Sequence, residues 1–542
     1  MKRWPTLVAL LAAQCLVYSQ RPGKHHPDLD CDGSAPLTDA VVAHVATPCQ
    51  ARSLNSAWSG YGRDPQHTAT SAQAAQTLGS IHWQTPVDLN PPGGGTGSLF
   101  VHYGSPIVTP ENTVIVPVKT GSAGGFELEA FNGATGSLLY TLPTDYSLPA
   151  ANWTPPYAPA LSMGARVYYA GAGGTIYYRD LPNSTAGPNG QAGATGQVAF
   201  YGTALYNANQ AAFRSTVQIS TPLTADDAGT VYFGFTAAGS NPAGLVSGIA
   251  RVTADGVGSW VSAVSLTRDS SAGQIALNCA PALSNDQRTV YVAVSTGAEF
   301  GTGYLVSLNA TTLAPIAHVQ LLDPRSGLAT VSSDSSAAPM VGPDGDVYYG
   351  VLENPCCTSH NDRGWMLHFD STLTLSKTPG SFGWDDTASV VPSSAVPSYT
   401  GSSSYLILTK YNNYAGAGTG DGVNKVAVLD PSAAMQDEYS SIAVTVMREV
   451  MTVTGVTPDA SAGFPDAVRE WCINTAAVDP FTKSAVINSE DGVVYRWDFT
   501  TNKLAQSLRL TAGRGEAYTP TVIGPDGTVY AINDAILFAV GN

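Results

Sequence analysis

Charge is scarce in this sequence. Only 12% of its 542 residues are Asp, Glu, Lys or Arg, and the 41 acidic residues outnumber the 25 basic ones, giving a formal net charge of −16. Because nucleic-acid binding needs a basic face that neutralises phosphates, this balance argues against a nucleic-acid partner. Cations, neutral sugars and small organic molecules are more compatible partners.

Long apolar runs are equally rare. The most pronounced one, Leu7–Val17, follows two basic residues and is too short to cross a bilayer. This pattern is typical of a secretory signal, so we predict a signal peptide over residues 1–20 and a secreted product, extracellular or periplasmic. A lipoprotein anchor at Cys15 is the alternative. No later stretch is apolar enough to predict a transmembrane segment.

Cysteine is limited to seven residues, and Cys15 lies in the predicted signal peptide. The even number that remains, in an oxidising compartment, favours disulfides. Cys31 and Cys49 lie close together in a stretch rich in Pro, Gly and Asp, so we predict an N-terminal arm over residues 21–55 in which they pair. The other four allow three connectivities; they are Cys279, Cys356, Cys357 and Cys472.

Several catalytic signatures are missing as well. The sequence shows no Ser-His-Asp constellation, phosphate-binding loop, thiol-protease motif or CxxCH haem-attachment motif. Hydrolase and electron-shuttle functions are therefore disfavoured.

Turn residues are abundant, with 55 Gly and 36 Pro, and they punctuate a repeated unit. Each unit is a short apolar strand, a tight turn and a second strand centred on Val-Tyr, followed by a loop and a third strand. STPLTADDAGTVYFGF, from Ser220, is one of eight copies. Alternating apolar residues give these strands the two-residue period of half-buried sheet. Sheets that cannot bury both faces alone stack radially.

The copies predict an all-β fold, one eight-bladed β-propeller over residues 56–542. The last copy ends at Asn542 with only three strands, whereas SIHWQTPV (Ser80–Val87) precedes the first copy. We therefore expect this N-terminal strand to complete the last blade, which would remove an exposed sheet edge. We expect the propeller to be a monomer.

Three stretches of the chain resemble the PQQ-like propeller repeats of the quinoprotein alcohol dehydrogenase superfamily. They are SGYGRDPQHTA (Ser59–Ala69), LEAFNGATGSLLY (Leu128–Tyr140) and the GPDGTVYAIN unit that begins at Gly524. The resemblance covers most of the mature chain. It implies the propeller fold and says less about activity, because many members of that superfamily bind no quinone.

Propeller topology predicts which loops carry function. The turns between first and second strands are short, whereas the loops between second and third strands and the crossovers between blades are long and polar and share the other face. Binding residues usually lie on loops held by a rigid scaffold. Five such segments of blades five to seven are predicted to line one sector of a funnel: Glu353–Trp365, Gly383–Asp386, Lys410–Tyr414, Val468–Cys472 and Asn488–Gly492.

These segments supply the candidate site residues. The predicted ligand-binding residues are Cys356, Cys357, His360, Asn361, Asp362, Arg363, Lys410, Asn412, Arg469 and Glu470. Packed carboxylates repel one another unless a cation lies between them, so four acids are predicted as metal ligands. They are Asp385, Asp386, Glu490 and Asp491. The alternatives are that Asp385 and Asp386 cap turns, that Glu490–Gly492 is a hairpin turn, and that His360, without a second histidine at ligand spacing, binds no metal.

The adjacent pair Cys356–Cys357 is the sharpest feature. Neighbouring Cα atoms are ~3.8 Å apart across a trans peptide, whereas ordinary disulfides need roughly 4.4–6.8 Å. A bond between the two closes a strained ring, and such strain persists where structure or function demands it. The alternative is a bond from this loop to Cys279 or Cys472, which both lie at the start of innermost strands.

The superfamily resemblance extends to this loop. Quinoprotein alcohol dehydrogenases carry a vicinal disulfide against the quinone in a CC…NRG segment, and CCTSHNDRG is similar, with Asp362 as an extra residue. The resemblance implies that Arg363 contacts a quinone carboxylate and that GWDD corresponds loosely to the aspartate segment of the calcium site. In those enzymes the pair follows the innermost strand of an early blade. Here it follows the second strand of the fifth, which favours convergence.

Two functions follow from these observations. The first is a secreted binding or scaffold propeller whose long-loop face holds a small molecule, a glycan or a protein. The alternative is an oxidoreductase similar to the PQQ- and Ca²⁺-dependent alcohol dehydrogenases. Because the enzyme motifs are incomplete, the sequence favours the binding function and leaves the cofactor open, with PQQ and Ca²⁺ as the candidates that the resemblance implies.

Overall fold

The fold was derived from a computed structural model of the chain. The described residues are 57–91, 102–121, 124–148, 157–162, 166–183, 193–325, 327–333, 335–513 and 518–542. The predicted signal peptide, the N-terminal arm and the Cys31–Cys49 pair lie outside them. The unit Ala46–Asn542 contains the whole fold described below. No helix among the described residues is long and apolar enough to cross a membrane.

The described residues form the eight blades of a β-propeller, which confirms the predicted fold. The paired strands of each blade are antiparallel. In blades 1 to 7 their order in the sheet follows the order in the chain, whereas the outermost strand of blade 8 comes from before blade 1. The Val-Tyr strands become second strands, and Val529–Asn533 is buried at every position. Their continuous apolar character follows from burial on both faces, because a neighbouring blade covers each side.

The strands of blades 1 to 4 are short near the axis and longer outward. They are Ile107–Val108, Thr113–Gly121, Gly124–Asn132 and Leu138–Thr144 in blade 1; Ala160–Ser162, Arg166–Ala170, Thr175–Asp180 and Thr195–Ala199 in blade 2; Val217–Ile219 with Thr224–Ala225, Val231–Ala237, Gly248–Val252 and Gly258–Ser262 in blade 3; and Gln274–Ile275 with Ala282–Leu283, Thr289–Ser295, Gly303–Asn309 and Pro315–Gln320 in blade 4.

Blades 5 to 8 follow the same order. Their strands are Met340–Val341, Val347–Val351 and Trp365–Phe369 in blade 5; Ser389–Pro392, Tyr405–Tyr411, Lys425–Gln436 and Thr445–Thr454 in blade 6; Ala477–Asp479, Ser484–Asn488, Val493–Asp498 and Lys503–Arg509 in blade 7; and Val522–Ile523, Val529–Asn533, Ile536–Gly541 and Ser80–Pro86 in blade 8. A separate pair joins Phe300–Gly301 to Val331–Ser332. The short α-helices are Thr203–Ala208, Gln210–Arg214 and Ala263–Thr267, and the 3₁₀ turns are Ala172–Gly174, Ser393–Ala395 and Ala460–Ala462.

The N-terminal strand closes the ring, as predicted. Ser80–Pro86 pairs antiparallel with Ile536–Gly541, with Ser80 opposite Gly541. Burial alternates along this strand, as expected for an outer strand with one face on the core. Trp83 packs against Tyr530 of blade 8 and Phe131 of blade 1, with ring centroids 5.8 and 5.6 Å away. This strand therefore completes blade 8 and seals the joint with blade 1.

Residues 57–71, here called the axial segment, run past the inner strands before the first blade begins. Backbone hydrogen bonds join the segment to six blades: Trp58 to Val108, Leu161 to Ser59, Leu283 to Pro65, Val341 to Gln66, Val390 to Thr68 and Val478 to Ala69. Each partner lies where an inner strand approaches its turn to the second strand. The segment therefore pairs backbone groups at the axis that would otherwise need other partners.

Blade 5 departs from the repeat because its sheet has three strands. Residues 376–380 run beside the third strand through isolated bridges, Phe369 to Ser376 and Met366 to Gly380. Val444 and Val446, from the long hairpin of blade 6, pack into the apolar core of blade 5. The hairpin therefore covers the outer edge of the blade 5 sheet, which a fourth strand would otherwise protect.

Candidate functional site

The cysteine loop, residues 353–365, is organised by a buried carboxylate that was not among the predicted site residues. Glu353 is 0% exposed. Its Oε1 accepts hydrogen bonds from the backbone N–H groups of His360 (3.1 Å) and Asp362 (2.9 Å), and its Oε2 accepts one from Gly364 (2.8 Å). Hydrogen bonds to an ionised acceptor are stronger than neutral ones. The Glu353 side chain therefore fixes the backbone conformation of the loop between His360 and Gly364.

His360 lies inside the protein rather than at a solvent-facing site. Its ring stacks on Trp365 with centroids 3.8 Å apart. Its Nδ1 lies 3.1 Å from the Gly364 carbonyl oxygen and its Nε2 3.1 Å from Asp437 Oδ2. Burial lowers the pKa of His360, and the Asp437 carboxylate opposes that shift. These contacts tie the cysteine loop to the long hairpin region of blade 6.

Arg363 is fully buried and is held by backbone carbonyl groups. Its Nε and Nη2 donate to the Ser381 carbonyl at 3.1 and 2.8 Å, and its Nη1 donates to the Asn412 carbonyl. The guanidinium carbon lies 3.5 Å from the ring centroid of Tyr439 and 4.2 Å from that of Tyr411, which stabilises a desolvated cation. Arg363 thus joins the loop to blade 6, and its contact with a quinone stays a prediction.

Cys356 and Cys357 form a vicinal pair on the half-buried part of the loop. Their sulfur atoms and a carboxylate oxygen of Asp362 lie within 4.8 Å of one another. Asp362 Oδ1 is buried and has no hydrogen-bond partner among the described residues. Burial, reinforced by the Glu353 carboxylate, raises the pKa of Asp362 to about 7. Cys279 lies elsewhere, where its sulfur accepts the N–H of Ala293 at 3.4 Å.

A second group of predicted residues meets at the axis and is called here the axial cluster. Lys410 lies at the end of the second strand of blade 6, not in a loop, and its Nζ is 3.9 Å from Asp385 Oδ2. His102 Nε2 is 3.3 Å from the same oxygen. The backbone N–H and the hydroxyl of Ser336 donate to Asp385 Oδ1 at 2.7 and 2.8 Å. All three charged or titratable side chains are no more than 3% exposed.

His102 was not predicted as a site residue, although its place on a connection of the long-loop face could have indicated it. It lies on the segment that leads into the first inner strand, where long connections share the functional face. Burial lowers its pKa to about 4; Lys410 lowers it further and Asp385 opposes the shift. The imidazole is therefore neutral near pH 7, so Asp385 and Lys410 provide the fixed opposite charges of this group.

Two glutamates and a cysteine lie at the rim of the axial cluster. Cys472 donates to Glu490 Oε2 at 3.4 Å and lies 3.8 Å from Glu470 Oε2. Burial raises the pKa of Glu470 to about 7; Glu490 adds to this rise and Lys410 opposes it. Burial also raises the pKa of Glu490. Lys410 therefore acts electrostatically on Glu470 as well as on Asp385, its ion-pair partner.

Tyrosines complete the rim. The ring of Tyr518 packs at a tilt of 42° against His102 with centroids 4.1 Å apart, and Lys410 Nζ lies 5.3 Å from the centroid of the Tyr518 ring. Tyr414, also half-buried, lies near the acids: burial raises the pKa of its hydroxyl, and Glu470 adds to the rise. A buried charged floor therefore lies beneath a rim that is partly open to solvent.

The axial segment contributes a side chain to the same region. The hydroxyl of Tyr61 contacts the Ser336 carbonyl at 3.0 Å and Thr387 Oγ1 at 2.9 Å, and it donates to Asn474 Oδ1. Its partners lie on the connections that enter blades 5, 6 and 7. Because Ser336 also holds Asp385, Tyr61 supports the floor of the axial cluster. It was not predicted, since nothing in the sequence places residue 61 at the axis.

The four acids predicted as metal ligands are not brought together. Asp385 faces Lys410 and His102, and Asp386 accepts a hydrogen bond from Thr409. Burial raises the pKa of Asp386 to about 7, with Lys410 opposing the shift.

Asp491 serves its own hairpin instead. It accepts hydrogen bonds from the hydroxyl groups of Thr457 and Tyr495, each at 2.6 Å, and from the N–H of Val493 at 3.0 Å. This arrangement is the ordinary turn that the sequence also allowed. Of the predicted metal ligands, only Glu490 lies in a group with suitable spacing, beside Glu470 and Cys472.

The remaining predicted residues have structural contacts. Asn412 Oδ1 accepts the backbone N–H of Trp471 at 3.1 Å, and Arg469 pairs with Asp459 at 3.1 Å. Asn361 donates to Asn413 at 2.9 Å. The Asn412 and Asn361 contacts each join two predicted segments, whereas the Arg469 ion pair is formed within the connection between blades 6 and 7.

Comparison with known proteins bears on the fold. No protein-family model matches the sequence, and no curated protein sequence matches it. A europium-containing methanol dehydrogenase aligns with a TM-score of 0.51 at 10% identity, over 88% of this chain and 89% of that chain. A quinohemoprotein alcohol dehydrogenase from Comamonas testosteroni aligns with a TM-score of 0.53 at 12% identity, over 90% and 81%. The fold is that of the quinoprotein alcohol dehydrogenase propellers.

A further quinohemoprotein alcohol dehydrogenase, from Pseudomonas putida, gives a TM-score of 0.51 at 12% identity over 93% of this chain and 79% of that chain. At such identities the likeness establishes the quinoprotein-type propeller and no residue roles. The chemistry of the donor atoms provides a separate test. Calcium takes 6–8 oxygen ligands, whereas Glu470 and Glu490 converge with a thiol. Both groups of potential metal ligands found among the described residues contain a cysteine, so neither is the all-oxygen set that calcium takes.

Proposed function

We propose that this protein is a secreted binding propeller that holds a small, hydroxyl-rich ligand, such as a sugar, at the axial cluster. The observation that carries the proposal is the convergence of buried Lys410, Asp385 and His102 beneath a half-buried rim. Binding sites combine apolar walls with a few well-placed polar groups. Here several polar groups converge beside the aromatic ring of Tyr518.

The chemistry of the rim favours a neutral ligand with many hydroxyl groups. Tyr414 and Tyr518 offer aromatic surface for the apolar face of a sugar ring. Glu470 and Glu490 accept hydrogen bonds when ionised and donate when protonated, which suits hydroxyl groups of either role. An anionic ligand is disfavoured, because these two acids lie beside the site and the Lys410 cation is already paired with Asp385.

An oxidoreductase is the second candidate, and two observations favour it. The solved structures compared above are methanol and alcohol dehydrogenases, and a vicinal cysteine pair lies on the loop face. The residues present fit a quinone with calcium poorly, because Asp385 faces Lys410 and Asp491 is engaged in its own hairpin, so the acids predicted as metal ligands do not converge. Arg363, which the resemblance assigns to a quinone carboxylate, is fully buried and bound to backbone carbonyls. The binding function therefore accounts for more of the observed contacts.

Calorimetric titration with a panel of neutral sugars tests the proposal. We expect a sugar to bind the wild-type protein and Lys410→Met to weaken binding at least tenfold, while Lys503→Met, on the outer strand of blade 7, leaves it unchanged. In parallel, PQQ and Ca²⁺ are added and the visible spectrum is recorded. A tight quinone absorbance with dye reduction by alcohols would establish the oxidoreductase and overturn the sugar-binding function.

The secreted and monomeric state belongs to the same proposal. The basic and apolar pattern of residues 1–20 supports export. Amino-terminal sequencing of the protein recovered outside the cytoplasm should locate cleavage near residue 20. Light scattering of the purified protein should give the mass of one chain, and a stable dimer would contradict the monomer.

A further inference from the structure

We propose that Cys356, Cys357 and Asp362 form a redox-controlled site for a soft divalent metal ion such as Zn²⁺. In this proposal the two thiolates and one carboxylate oxygen bind the metal when the cysteine pair is reduced, and the oxidised pair does not bind it. The site is separate from the axial cluster. The inference is independent of the sugar-binding function.

Two independent observations support the site. The two sulfur atoms and a carboxylate oxygen of Asp362 lie within 4.8 Å of one another, on a half-buried surface that an ion can reach. Asp362 Oδ1 is buried without a hydrogen-bond partner among the described residues. A buried carboxylate oxygen usually has such a partner, and one that lacks it calls for an explanation such as an ion. Its position beside two cysteines identifies the class of ion.

The loop holds Asp362 in place independently of any metal. Asp362 has a φ of 59°, in the left-handed region that is uncommon for residues other than glycine. Its N–H donates to Glu353 at 2.9 Å, so the backbone conformation is fixed by a buried carboxylate. Arg325 fastens the other end of the loop by donating to the Ser359 carbonyl at 2.6 Å and the Asn354 carbonyl at 3.1 Å. The acid is therefore positioned before a ligand arrives.

The donor set fits zinc better than calcium or magnesium. Thiolates select soft or borderline metals, whereas calcium and magnesium take oxygen ligands. Zinc binds thiolate at ~2.3 Å and carboxylate at ~2.0–2.2 Å in a tetrahedron, which places two sulfur ligands roughly 3.8 Å apart. Three protein ligands leave the fourth position for water or for a ligand from outside.

The redox step balances with an external reductant. A dithiol breaks the sulfur–sulfur bond by exchange: it supplies two electrons and two protons, leaves as a cyclic disulfide, and releases Cys356 and Cys357 as thiols. Metal binding then displaces the two thiol protons. A small oxidised disulfide reverses the step by exchange: it accepts two electrons and two protons, leaves as two thiols, and the Cys356–Cys357 bond re-forms as the metal ion is released. One loop therefore has a metal-binding and a metal-free state.

Cobalt serves as the spectroscopic probe. The purified full-length protein is reduced with a dithiol, freed of excess reductant without oxygen, assayed for free thiols, and titrated with Co²⁺. We expect one equivalent to produce a near-ultraviolet sulfur-to-cobalt charge-transfer band that saturates at 1:1. Unreduced protein should give none. Zn²⁺ should displace the cobalt and abolish the band.

Substitutions assign the ligands. Cys357→Ser should abolish the band. Asp362→Asn, which retains the backbone N–H to Glu353, should weaken cobalt binding about tenfold or more. Cys279→Ser and Cys472→Ser are the matched controls and should leave the band unchanged. Circular dichroism confirms that each variant is folded.

Three results would overturn the proposal. One is the absence of the band in protein whose thiol assay shows that the pair is reduced. Another is a band that survives in Cys357→Ser. The third is loss of the band in Cys472→Ser, which would assign the metal to Glu470, Cys472 and Glu490.

Discussion

His102 Nε2 lies 3.3 Å from Asp385 Oδ2, although His102 leads into blade 1 and Asp385 lies between blades 5 and 6. Lys410 approaches the same carboxylate oxygen at 3.9 Å. Side chains from non-adjacent blades thus share one oxygen at the axis, with almost no exposure to solvent. Because buried charges depend on their ion-pair and hydrogen-bond partners, here including Ser336, the axial cluster should be sensitive to loss of any member.

Asp385→Asn should destabilise the protein markedly. The substitution removes the carboxylate that forms the buried ion pair with Lys410. Breaking a buried ion pair by removing one partner typically costs roughly 3–5 kcal/mol. Equilibrium unfolding in denaturant measures the loss.

An exposed ion pair provides the matched control for Asp385→Asn. Arg288 and Asp286 lie 4.0 Å apart, with side chains 86% and 61% exposed. Exposed pairs contribute no more than about 1 kcal/mol, so Asp286→Asn should have a small effect. Equal losses in the two variants would show that Asp385 is not part of a buried charge network.

Tyr61→Phe tests whether the axial segment supports the cluster. The variant keeps the ring and removes the hydroxyl that contacts Ser336, Thr387 and Asn474. Leaving such buried groups without their partner should cost about 1–3 kcal/mol. Tyr304→Phe is the control, because its hydroxyl contacts only Asp269 at the half-buried edge of blade 4. A loss no larger in Tyr61→Phe than in the control would contradict the supporting role.

Asp386 should make the protein less stable as pH rises. Burial raises its pKa from 3.8 to about 7, so the folded carboxyl keeps its proton where the unfolded one has lost it. A raised pKa contributes stability below the unfolded value, and that contribution is lost as pH rises through the folded value. The difference in unfolding free energy between wild type and Asp386→Asn should therefore fall between about pH 4 and pH 7, with a limiting slope of ~1.4 kcal/mol per pH unit.

His102 should show the opposite trend, which makes it the control for Asp386. Its pKa is lowered from 6.5 to about 4, so its contribution is present above pH 6.5 and lost as pH falls toward 4. Denaturant titrations of His102→Gln and wild type across this range measure the difference. Parallel pH profiles for the two variants would contradict both assignments.

Cys356 and Cys357 should be joined to each other in protein purified without reductant. A non-reduced proteolytic digest should contain the loop as one peptide whose mass is two hydrogens below that of the dithiol. A cross-linked peptide that connects the loop to Cys279 or Cys472 would contradict the vicinal bond.

The fold was predictable because its determinants are local and repeated. Each copy carries its own strands and turn, and SIHWQTPV matches the strand that the last copy lacks. The three-stranded sheet of blade 5 was not predictable, because its edge is covered by Val444 and Val446 from another blade. Because the covering residues come from another blade, the repeat sequence of blade 5 does not indicate that its fourth strand is missing.

The candidate site was predictable in part. Asp385 lies near Lys410 and Glu470 near Glu490, as the topology suggested, although Lys410 lies at the end of a strand and not in the predicted loop. It did not reveal that Arg363 is buried, because the cysteine loop folds back onto Glu353. His102 and Tyr61 were missed for a related reason: their contacts exist only once the ring has closed.

The pairing of Ser80–Pro86 with Ile536–Gly541 has a consequence for biogenesis. Seven blades can form in order during synthesis, but the eighth stays incomplete until residues 536–541 have emerged. Throughout that interval the nascent chain carries an unpaired edge that can recruit another chain. An export route that delivers the polypeptide unfolded would postpone this exposure until the whole chain is present on the far side of the membrane.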